Sequence, residues 1–243
     1  MKKATLKEKA VLVTGASRGI GKSIARALAK EGAAVALAAR TADELERVRE
    51  EIEQRGGRAA CFRADIGNED EAIELVHNTV ERFGRLDILV NNAGLGIFGP
   101  LAHTTTEQWD EIMRVNARGP FILCREAIQY LGRQRISFIV NISSVMGVKG
   151  YVNQSAYAAS KHALMGMSKV LAKEVQELGI RVHALCPGGV DTGLAGNSRP
   201  DLDTSVLMTP EEIADTVVFL VTREGNAVID EIRLRRQSSA PWA

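Results

Sequence analysis

Short apolar runs alternate with longer amphipathic stretches along this chain. The runs have the length of strands and are rich in Val, Leu, Ile and Ala, whereas the stretches between them repeat apolar residues every three or four positions, as helices do. This alternation is typical of βαβ units, whose strands join a parallel sheet. The predicted strands are 10–14, 34–39, 59–63, 86–91, 137–142, 181–186 and 227–234, and the predicted helices are 19–31, 42–54, 69–83, 106–131, 156–178 and 210–222.

The order of these elements predicts an α/β fold of the Rossmann type, a doubly wound three-layer sandwich with a seven-stranded parallel sheet. The chain has 243 residues, 45% of them hydrophobic, and it shows no linker, internal repeat or low-complexity tract. We therefore expect a single domain over 1–243 that carries every functional site.

The charge and hydropathy of the chain argue against nucleic-acid and membrane partners. Thirty-one basic residues against thirty acidic ones leave a formal charge of +1, which lacks the basic excess that nucleic-acid binding needs. The segment 1–9 is too charged for a signal peptide, and no apolar run approaches the roughly 18 residues that span a bilayer. We expect a cytoplasmic protein that binds neither nucleic acid nor membrane.

The cysteines and histidines show no spacing typical of a disulfide framework or a metal site. We interpret the cysteines as buried thiols and the histidines as surface or packed residues, and we expect no bound metal. These residues are Cys61, Cys124, Cys186, His77, His103, His162 and His183.

The first predicted strand runs directly into a glycine-rich loop and then into a helix. The glycine spacing is G-x3-G-x-G, which differs from the common dinucleotide fingerprint G-x-G-x-x-G. Glycine lets the backbone approach a pyrophosphate closely, and the helix N-terminus offers free N–H groups and a partial positive charge. The position between strand and helix favours a nucleotide site over a purely structural turn. The candidate contacts are Gly15, Ser17, Arg18, Gly19, Ile20 and Gly21.

The same loop also fits a different reaction class. Gly15-Ala16-Ser17-Arg18-Gly19 matches the G-x-S-x-G turn that carries the nucleophile of serine hydrolases. Such a turn needs earlier strands to build the sheet and an earlier loop to complete the oxyanion hole, but only about ten residues precede this strand. A hydrolase using Ser17 is therefore the less favoured alternative.

The end of the second predicted strand bears on the choice of nicotinamide cofactor. Proteins that bind NAD place a carboxylate here for the ribose hydroxyls, whereas this chain reads Ala38-Ala39-Arg40-Thr41. Arg40, together with Arg18 in the glycine loop, offers guanidinium groups that suit a 2′-phosphate. The sequence therefore predicts NADP(H), with NAD(H) as the less favoured cofactor.

Tyr157 and Lys161 lie four residues apart near the start of a predicted helix, so that both side chains share one face. A phenol with an ordinary pKa near 10 is a poor acid–base catalyst at neutral pH, and a neighbouring ammonium group would lower that pKa. On spacing alone, an exposed tyrosine and lysine without a catalytic role would be the more ordinary interpretation.

Seven signatures of one enzyme family occur in this chain in the family's order. They are Thr14-Gly15 through Gly21, Asp65-Ile66, Asn91-Asn92-Ala93-Gly94, Asn116, Ser144, Tyr157 with Lys161, and Pro187-Gly188-Gly189-Val190-Asp191-Thr192. With these residues the chain resembles the short-chain dehydrogenase/reductase family, and within it the 3-oxoacyl-carrier-protein reductases. The resemblance covers nearly the whole chain.

The resemblance implies hydride transfer between NADP(H) and a carbonyl or secondary alcohol. Tyr157 would donate the proton in reduction and Ser144 would hold the substrate oxygen, where hydroxyl donors stabilise developing charge. Lys161 would bind the nicotinamide ribose, and Asn116 would support a proton relay through water. The further cofactor contacts that it implies are Asp65 and Ile66 at the adenine, Asn91, Ala93 and Gly94 in the cleft, Tyr157 and Lys161, and Pro187, Gly188, Val190 and Thr192 after the sixth strand.

The resemblance also implies a small-molecule carbonyl or alcohol substrate and an oligomer. In many relatives the helical stretches that match 106–131 and 156–178 form a four-helix subunit interface, so we expect a homodimer or homotetramer. Two segments depart from the family, because 228–234 lacks the usual Asp-Gly-Gly and 193–205 is a short, polar substrate lid. Since fold does not prove function, a catalytically silent nucleotide-binding regulator is the alternative.

Overall fold

The strands of this chain form one parallel sheet. A computed structural model describes residues 5–133, 136–193, 203–223 and 225–241. Its strands are β1 Ala10–Thr14, β2 Ala34–Ala39, β3 Arg58–Arg63, β4 Ile88–Asn91, β5 Ser137–Ile142, β6 Ile180–Pro187 and β7 Glu231–Leu234. They pair in parallel in the order β3-β2-β1-β4-β5-β6-β7. The chain builds outward from β1 to one edge and then from β4 to the other, which confirms the doubly wound topology.

Helices cover both faces of this sheet. They are α1 Gly19–Lys30, α2 Ala42–Glu53, α3 Glu69–Phe83, α4 Thr106–Met113, α5 Gly119–Leu131, α6 Ser155–Glu174 and α7 Pro210–Val221. Helices α1, α2 and α7 bury their apolar sides on one face, and α3, α5 and α6 do so on the other. In β1, Val11 and Val13 enter the first core and Leu12 enters the second, as the alternation of a strand requires. The two cores and the sheet make the three layers.

Most predicted boundaries are confirmed to within one residue. The helix predicted over 156–178 ends earlier, at Glu174, and a short 3-10 turn, Gln176–Leu178, follows it. Within the described ranges, no helix is both long enough and apolar enough to cross a membrane.

The helix predicted over 106–131 is interrupted. Between α4 and α5 the backbone forms a π-helical segment, Arg114–Arg118. Pro120 explains the interruption, because proline has no N–H to donate to the carbonyl of Asn116 four residues earlier, and its ring would clash with that carbonyl. The wider π-helical turn accommodates the proline. Asn116 points inward from this segment and is fully buried.

The last strand is shorter than its apolar pattern indicated. Only Glu231–Leu234 pairs with β6, and 227–230 lies outside the ladder. Side chains of β6 hold the preceding loop instead. Arg181 donates to two backbone carbonyls of that loop, and the His183 ring lies 2.6 Å from the carbonyl oxygen of Ile229. The Asp230 carbonyl accepts the Ala184 N–H of β6 at 2.8 Å, and the strand ladder begins at the next residue.

A buried carboxylate joins β1 and β4 at their amino ends. The Asp87 side chain is 1% exposed and accepts hydrogen bonds from Lys9 Nζ at 2.9 Å, the Ala10 backbone N–H at 2.9 Å, and Arg85 Nε and Nη2 at 2.7 and 2.6 Å. Burial by itself would raise the pKa of this carboxyl group, but these hydrogen bonds outweigh burial and hold the pKa below its ordinary value of 3.8. The pairing of two central strands therefore depends on a charged carboxylate.

Asp87→Asn should destabilise the fold, because Lys9 and Arg85 keep their charges while their buried partner loses its own. We expect the free energy of unfolding to fall by about 2–3 kcal/mol in urea titrations. Since the folded-state pKa is depressed, this stabilisation is present above about pH 4 and is lost as the pH falls through the folded-state value, so the two proteins should converge in acid. Glu69→Gln is the control, because Glu69 pairs with two arginines at the exposed surface. An equal loss in that variant would contradict the role of Asp87.

Candidate active site

The loops that follow β1, β4, β5 and β6 meet at the carboxyl edge of the sheet. Strand β1 lies between β2 and β4, so the order of the strands reverses at this point and a crevice opens between the loops. Open α/β sheets bind their ligands in such a crevice. The glycine loop of residues 15–21, the end of β5 and the start of α6 all belong to this edge.

The glycine loop folds in a conformation that glycine adopts without strain. Gly15 and Gly19 have positive φ angles of 64° and 54°. A Cβ atom at Gly21 would lie 2.2 Å from the Gly15 carbonyl oxygen, so α1 starts directly against the loop. Arg18 precedes α1 without a side-chain capping bond, and the first turn carries no acidic residue. The other two candidates in this loop, Ser17 and Ile20, are half-buried. The first-turn N–H groups are thus available to an anion.

Two residues that no motif singled out as contacts hold this loop in place. The buried Thr14 hydroxyl accepts the N–H groups of Asn92 and Ala93 at 3.0 and 3.1 Å and donates to the Val90 carbonyl at 3.3 Å. In return, the Asn92 amide donates to the carbonyls of Thr14 and Gly15 at 2.9 and 3.2 Å. Their one signal in the sequence is that each lies where an adjacent strand ends.

The two arginines predicted at the adenosine end are exposed. Neither the Arg18 nor the Arg40 side chain forms a hydrogen bond or an ion pair with another residue of the described part of the chain. Arg40 lies within electrostatic range of the Asp65 and Glu111 carboxylates. Both guanidinium groups are therefore available to an anionic ligand.

Asp65 follows β3 at the same edge. Its two carboxylate oxygens accept the Gly67 N–H at 3.0 Å and Arg114 Nη1 at 3.1 Å. Burial raises the pKa of Asp65, but the hydrogen bonds from Gly67 and Arg114 and the charge of Arg40 outweigh burial, so the pKa lies below its ordinary value. The neighbouring Ile66 is buried and packs this turn against the second hydrophobic core.

Ser144, Tyr157 and Lys161 converge where β5 meets α6. All three are buried, with exposed fractions of 7%, 7% and 4%. The Ser144 hydroxyl accepts the Met146 N–H at 3.2 Å and lies close enough to the Tyr157 phenol to lower its pKa. Lys161 Nζ donates to the Ile142 carbonyl at 2.9 Å and lies 5.8 Å from the centre of the Tyr157 ring. The fold thus brings together a phenol, a hydroxyl and an amine that are dispersed in the sequence.

The expectation that Lys161 lowers the pKa of Tyr157 is wrong for this structure. Burial raises the pKa of Tyr157 to about 12, and the hydrogen bond with Ser144 opposes it only in part. Burial also lowers the pKa of Lys161 to about 8. The reason is geometric, since Nζ lies over the face of the ring and donates to a backbone carbonyl. The protein by itself keeps Tyr157 as a neutral phenol.

The π-helical segment aims Asn116 at the same group of residues. Its side chain accepts the Leu95 N–H at 2.9 Å, donates to the Leu95 carbonyl at 2.8 Å and donates to Ser160 Oγ at 3.1 Å. Ser160 in turn donates to the Tyr157 carbonyl at 2.7 Å. Ser160 is a further residue that the motifs did not single out. Together these bonds fix Asn116 against the helix that carries Tyr157.

The predicted residues after β4 differ in what they face. A Cβ atom at Gly94 would lie 3.2 Å from Asn116 Oδ1 and 3.6 Å from Lys161 Nζ, so Gly94 lies beside the catalytic candidates. The Asn91 side chain, in contrast, is buried within the sheet and donates to Asn141 Oδ1 at 2.8 Å. Asn91 therefore supports the sheet under the crevice with its side chain.

The loop after β6 approaches the glycine loop. Pro187 ends the strand, and Gly188 donates to a carbonyl of β7 at 2.8 Å. Val190 is buried, and the Thr192 methyl group lies 3.3 Å from the position that a Cβ atom at Gly19 would occupy. The loop after β6 and the glycine loop thus contact each other at the carboxyl edge of the sheet.

Other predictions concern the lid and metal ions. Residues 194–202, which make up most of the predicted lid, lie outside the described residues. Among the residues that are described, no group of three or more His, Cys, Asp or Glu side chains could hold a metal ion.

The family model described as short chain dehydrogenase matches residues 9–203. This chain belongs to that family. A 3-oxoacyl-[acyl-carrier-protein] reductase, FabG, of Thermotoga maritima is 34% identical over 235 residues, which cover 93% of this chain and 96% of the relative. The chain is thus an oxidoreductase of the short-chain dehydrogenase family, similar to the 3-oxoacyl reductases.

Solved structures agree with this assignment. An alcohol dehydrogenase from the archaeon Thermococcus sibiricus, complexed with 5-hydroxy-NADP, is 30% identical, has a TM-score of 0.90 and covers 97% of this chain and 99% of its own. A metagenomic short-chain oxidoreductase in complex with NADP is 34% identical, with a TM-score of 0.84 and coverage of 96% and 99%. The Rossmann-type fold of this short-chain dehydrogenase is therefore shared over nearly its full length.

Lys161→Met should stabilise this short-chain dehydrogenase at neutral pH. Folding lowers the Lys161 pKa from 10.5 to about 8, so burial of the charged amine opposes folding below about pH 8, and the wild type gains stability from this group as the pH rises toward 10. A methionine at this position carries no charge, so this cost of burial is absent from the variant. The difference in unfolding free energy should favour the variant by about 2 kcal/mol more at pH 7 than at pH 9.5.

Lys169→Met is the matched control, because Lys169 lies on the same helix but is exposed. Its effect on stability should not change between the two pH values. A pH dependence equal to that of Lys161→Met would show that buried charge is not the cause.

Proposed function

We propose that this chain is an NADP(H)-dependent oxidoreductase that transfers hydride between the cofactor and a carbonyl or secondary-alcohol substrate, with Tyr157 as the general acid or base. The observation that carries this proposal is the burial of Ser144, Tyr157 and Lys161 in one contact group at the carboxyl edge of the sheet. Burial of the charged amine opposes folding, and groups whose pKa values are displaced, as those of Tyr157 and Lys161 are, cluster at functional sites. Family membership supplies the oxidoreductase chemistry.

The residues of the crevice fit a nicotinamide dinucleotide. The glycine loop forms a cradle that a Cβ atom would fill, and the uncapped N-terminus of α1 faces it. In this proposal the glycine loop binds the pyrophosphate and Asp65 contacts the adenine. Lys161 binds the nicotinamide ribose, and Val190 and Thr192 contact the carboxamide. When bound, NADPH supplies the hydride that reduces the carbonyl carbon.

The chain's own residues supply the proton and the contacts to the substrate oxygen. Because the pKa of Tyr157 is about 12, the phenol keeps its proton at neutral pH and can donate it to that oxygen. The Ser144 hydroxyl offers a second donor to the same atom and stabilises its developing charge. Lys161, with a pKa of about 8, can return a proton through the relay that Asn116 supports. Reduction starts from the protonated Tyr157, whereas alcohol oxidation would start from its phenolate.

The adenosine end favours NADP(H) over NAD(H). Strand β2 ends without a carboxylate for the ribose hydroxyls, and Arg18 and Arg40 are exposed without an ion-pair partner in the described ranges. A 2′-phosphate would provide both with an acceptor. Two structural neighbours were determined with NADP or 5-hydroxy-NADP.

A 3-oxoacyl thioester is the first substrate to test. The Thermotoga maritima relative is named a 3-oxoacyl-[acyl-carrier-protein] reductase. In this chain the Phe98 ring packs edge-on against Tyr157, with ring centres 5.6 Å apart, and Leu95, Ile97 and Met146 extend this apolar cluster. Such a wall suits a carbonyl that carries an apolar group.

We also propose that 1–243 is one domain with both the cofactor and the substrate site, and that it works in the cytoplasm without a nucleic-acid or membrane partner. Homodimers or homotetramers would form through α4, α5 and α6. A groove of about 610 Å³ on these helices supports the proposed oligomer, because its lining includes the apolar side chains of Met113, Phe121 and Met167. The Phe121 side chain is 49% exposed in the single chain.

Arg40→Ala should weaken NADPH binding by about tenfold to a hundredfold and leave NADH binding nearly unchanged, because a charge-assisted hydrogen bond to the 2′-phosphate is lost. Titration that follows nicotinamide fluorescence measures both affinities. Arg58→Ala is the control, since Arg58 is exposed at the opposite edge of the sheet. Equal weakening of both cofactors by Arg40→Ala would contradict the preference, and a wild type that binds neither cofactor would contradict the enzyme assignment.

Tyr157→Phe should lower turnover of acetoacetyl-coenzyme A, followed by NADPH consumption, by at least about a hundredfold, because the proton donor is lost. The affinity for NADPH should fall by no more than about tenfold, since only one hydroxyl contact is lost and the glycine loop and Lys161 are kept. Tyr151→Phe, on the exposed loop before α6, should retain activity. Full activity of Tyr157→Phe would refute the role of the phenol, and a wild type that binds NADPH but reduces no carbonyl in a broad panel would favour the silent regulator.

A further inference from the structure

One arginine beside the adenosine end bridges two carboxylates. Arg114, the first residue of the π-helical segment, donates Nε and Nη2 to Glu111 at 2.6 and 2.9 Å and Nη1 to Asp65 at 3.1 Å. Glu111 belongs to α4, whereas Asp65 belongs to the turn after β3. A single guanidinium group thus joins two elements that lie far apart in the sequence, with the two-pronged geometry that arginine favours.

The turn after β3 is built to receive this guanidinium group. A Cβ atom at Gly67 would lie 2.1 Å from Nη1 and 2.6 Å from Cζ of Arg114, so the group lies directly on the backbone. The Gly67 N–H also donates to the other oxygen of Asp65 at 3.0 Å. Asp65 is therefore held at both oxygens, which distinguishes this bridge from a loose surface pair.

The bridge sets the charge around Arg40. The carboxylates of Asp65 and Glu111 both lie within electrostatic range of Arg40. With Arg114 in place, two guanidinium groups balance two carboxylates. Without it, both carboxylates would act on Arg40 alone, and they would also repel a phosphate dianion nearby.

We propose that Arg114 is a positioning residue that sets the preference for the 2′-phosphorylated cofactor. By pairing with Asp65 and Glu111, it leaves Arg40 available to the 2′-phosphate. This role rests on the proposed NADP(H) site and extends it, since cofactor choice is then decided from α4 as well as from the end of β2.

The test is a fluorescence titration of NADPH and NADH against the wild type and three variants: Arg114→Met, Arg114→Lys, and Arg114→Met with Glu111→Gln. Methionine removes the charge, so the ratio of NADPH to NADH affinity should fall by about threefold to tenfold. Lysine should keep most of the ratio. The double variant should recover part of it, because one uncompensated carboxylate is gone.

Arg49→Met is the matched control, because Arg49 pairs with Glu46 and Glu53 on α2 in a similar way. It should leave the ratio unchanged. An unchanged ratio in Arg114→Met, or an equal loss for both cofactors that Glu111→Gln does not rescue, would overturn the role of Arg114 and leave the cofactor proposal intact. A wild type with no preference for NADPH would overturn the cofactor proposal and this role with it.

Discussion

The close contact between the carboxyl ends of β1 and β4 is the constraint on which the candidate site depends. A Cβ atom at Gly15 would lie 2.8 Å from the Ala93 Cα atom, so the two loops touch through their backbones. Thr14 and Asn92 complete the contact with reciprocal hydrogen bonds. At the amino ends of the same two strands, the Asp87 carboxylate accepts hydrogen bonds from Lys9, Arg85 and the backbone N–H of Ala10. The crevice therefore opens between strands that are fixed at both ends, which gives its loops a rigid base.

Burial decides the protonation of the catalytic candidates. Tyr157 and Lys161 have displaced pKa values with the same first cause, because a medium that solvates charge poorly favours the neutral phenol and the neutral amine. The phenol holds its proton firmly, and the amine can lose its proton near neutral pH. Burial of the charged amine opposes folding, whereas the site suits proton transfer, as is common where function is retained at the expense of stability.

One irregularity in the helix connects the two halves of the site. Pro120 cannot continue the hydrogen bonding of an α-helix, and the π-helical segment before it carries both Arg114 and Asn116. Arg114 reaches the partly exposed Asp65 after β3, and Asn116 reaches the buried Ser160 beside the catalytic candidates. Two residues that are two positions apart thus contact a partly exposed charged group and a buried polar group. Such π-helical turns are often found at functional sites.

The amino-acid sequence by itself determined the parallel sheet, the glycine loop, the helical spacing of Tyr157 and Lys161, and the replacement of an acidic residue by Arg40, because each is a local pattern or a matching motif. Tertiary structure alone decided the contact of Thr14 with Asn92 across 78 residues and that of Arg114 with Asp65 across 49. It also set the short β7, whose preceding carbonyls bond to side chains, and the direction in which the pKa values of Tyr157 and Lys161 shift. Periodicity reports how a segment folds, whereas distances, burial and charge balance arise only when distant segments pack together.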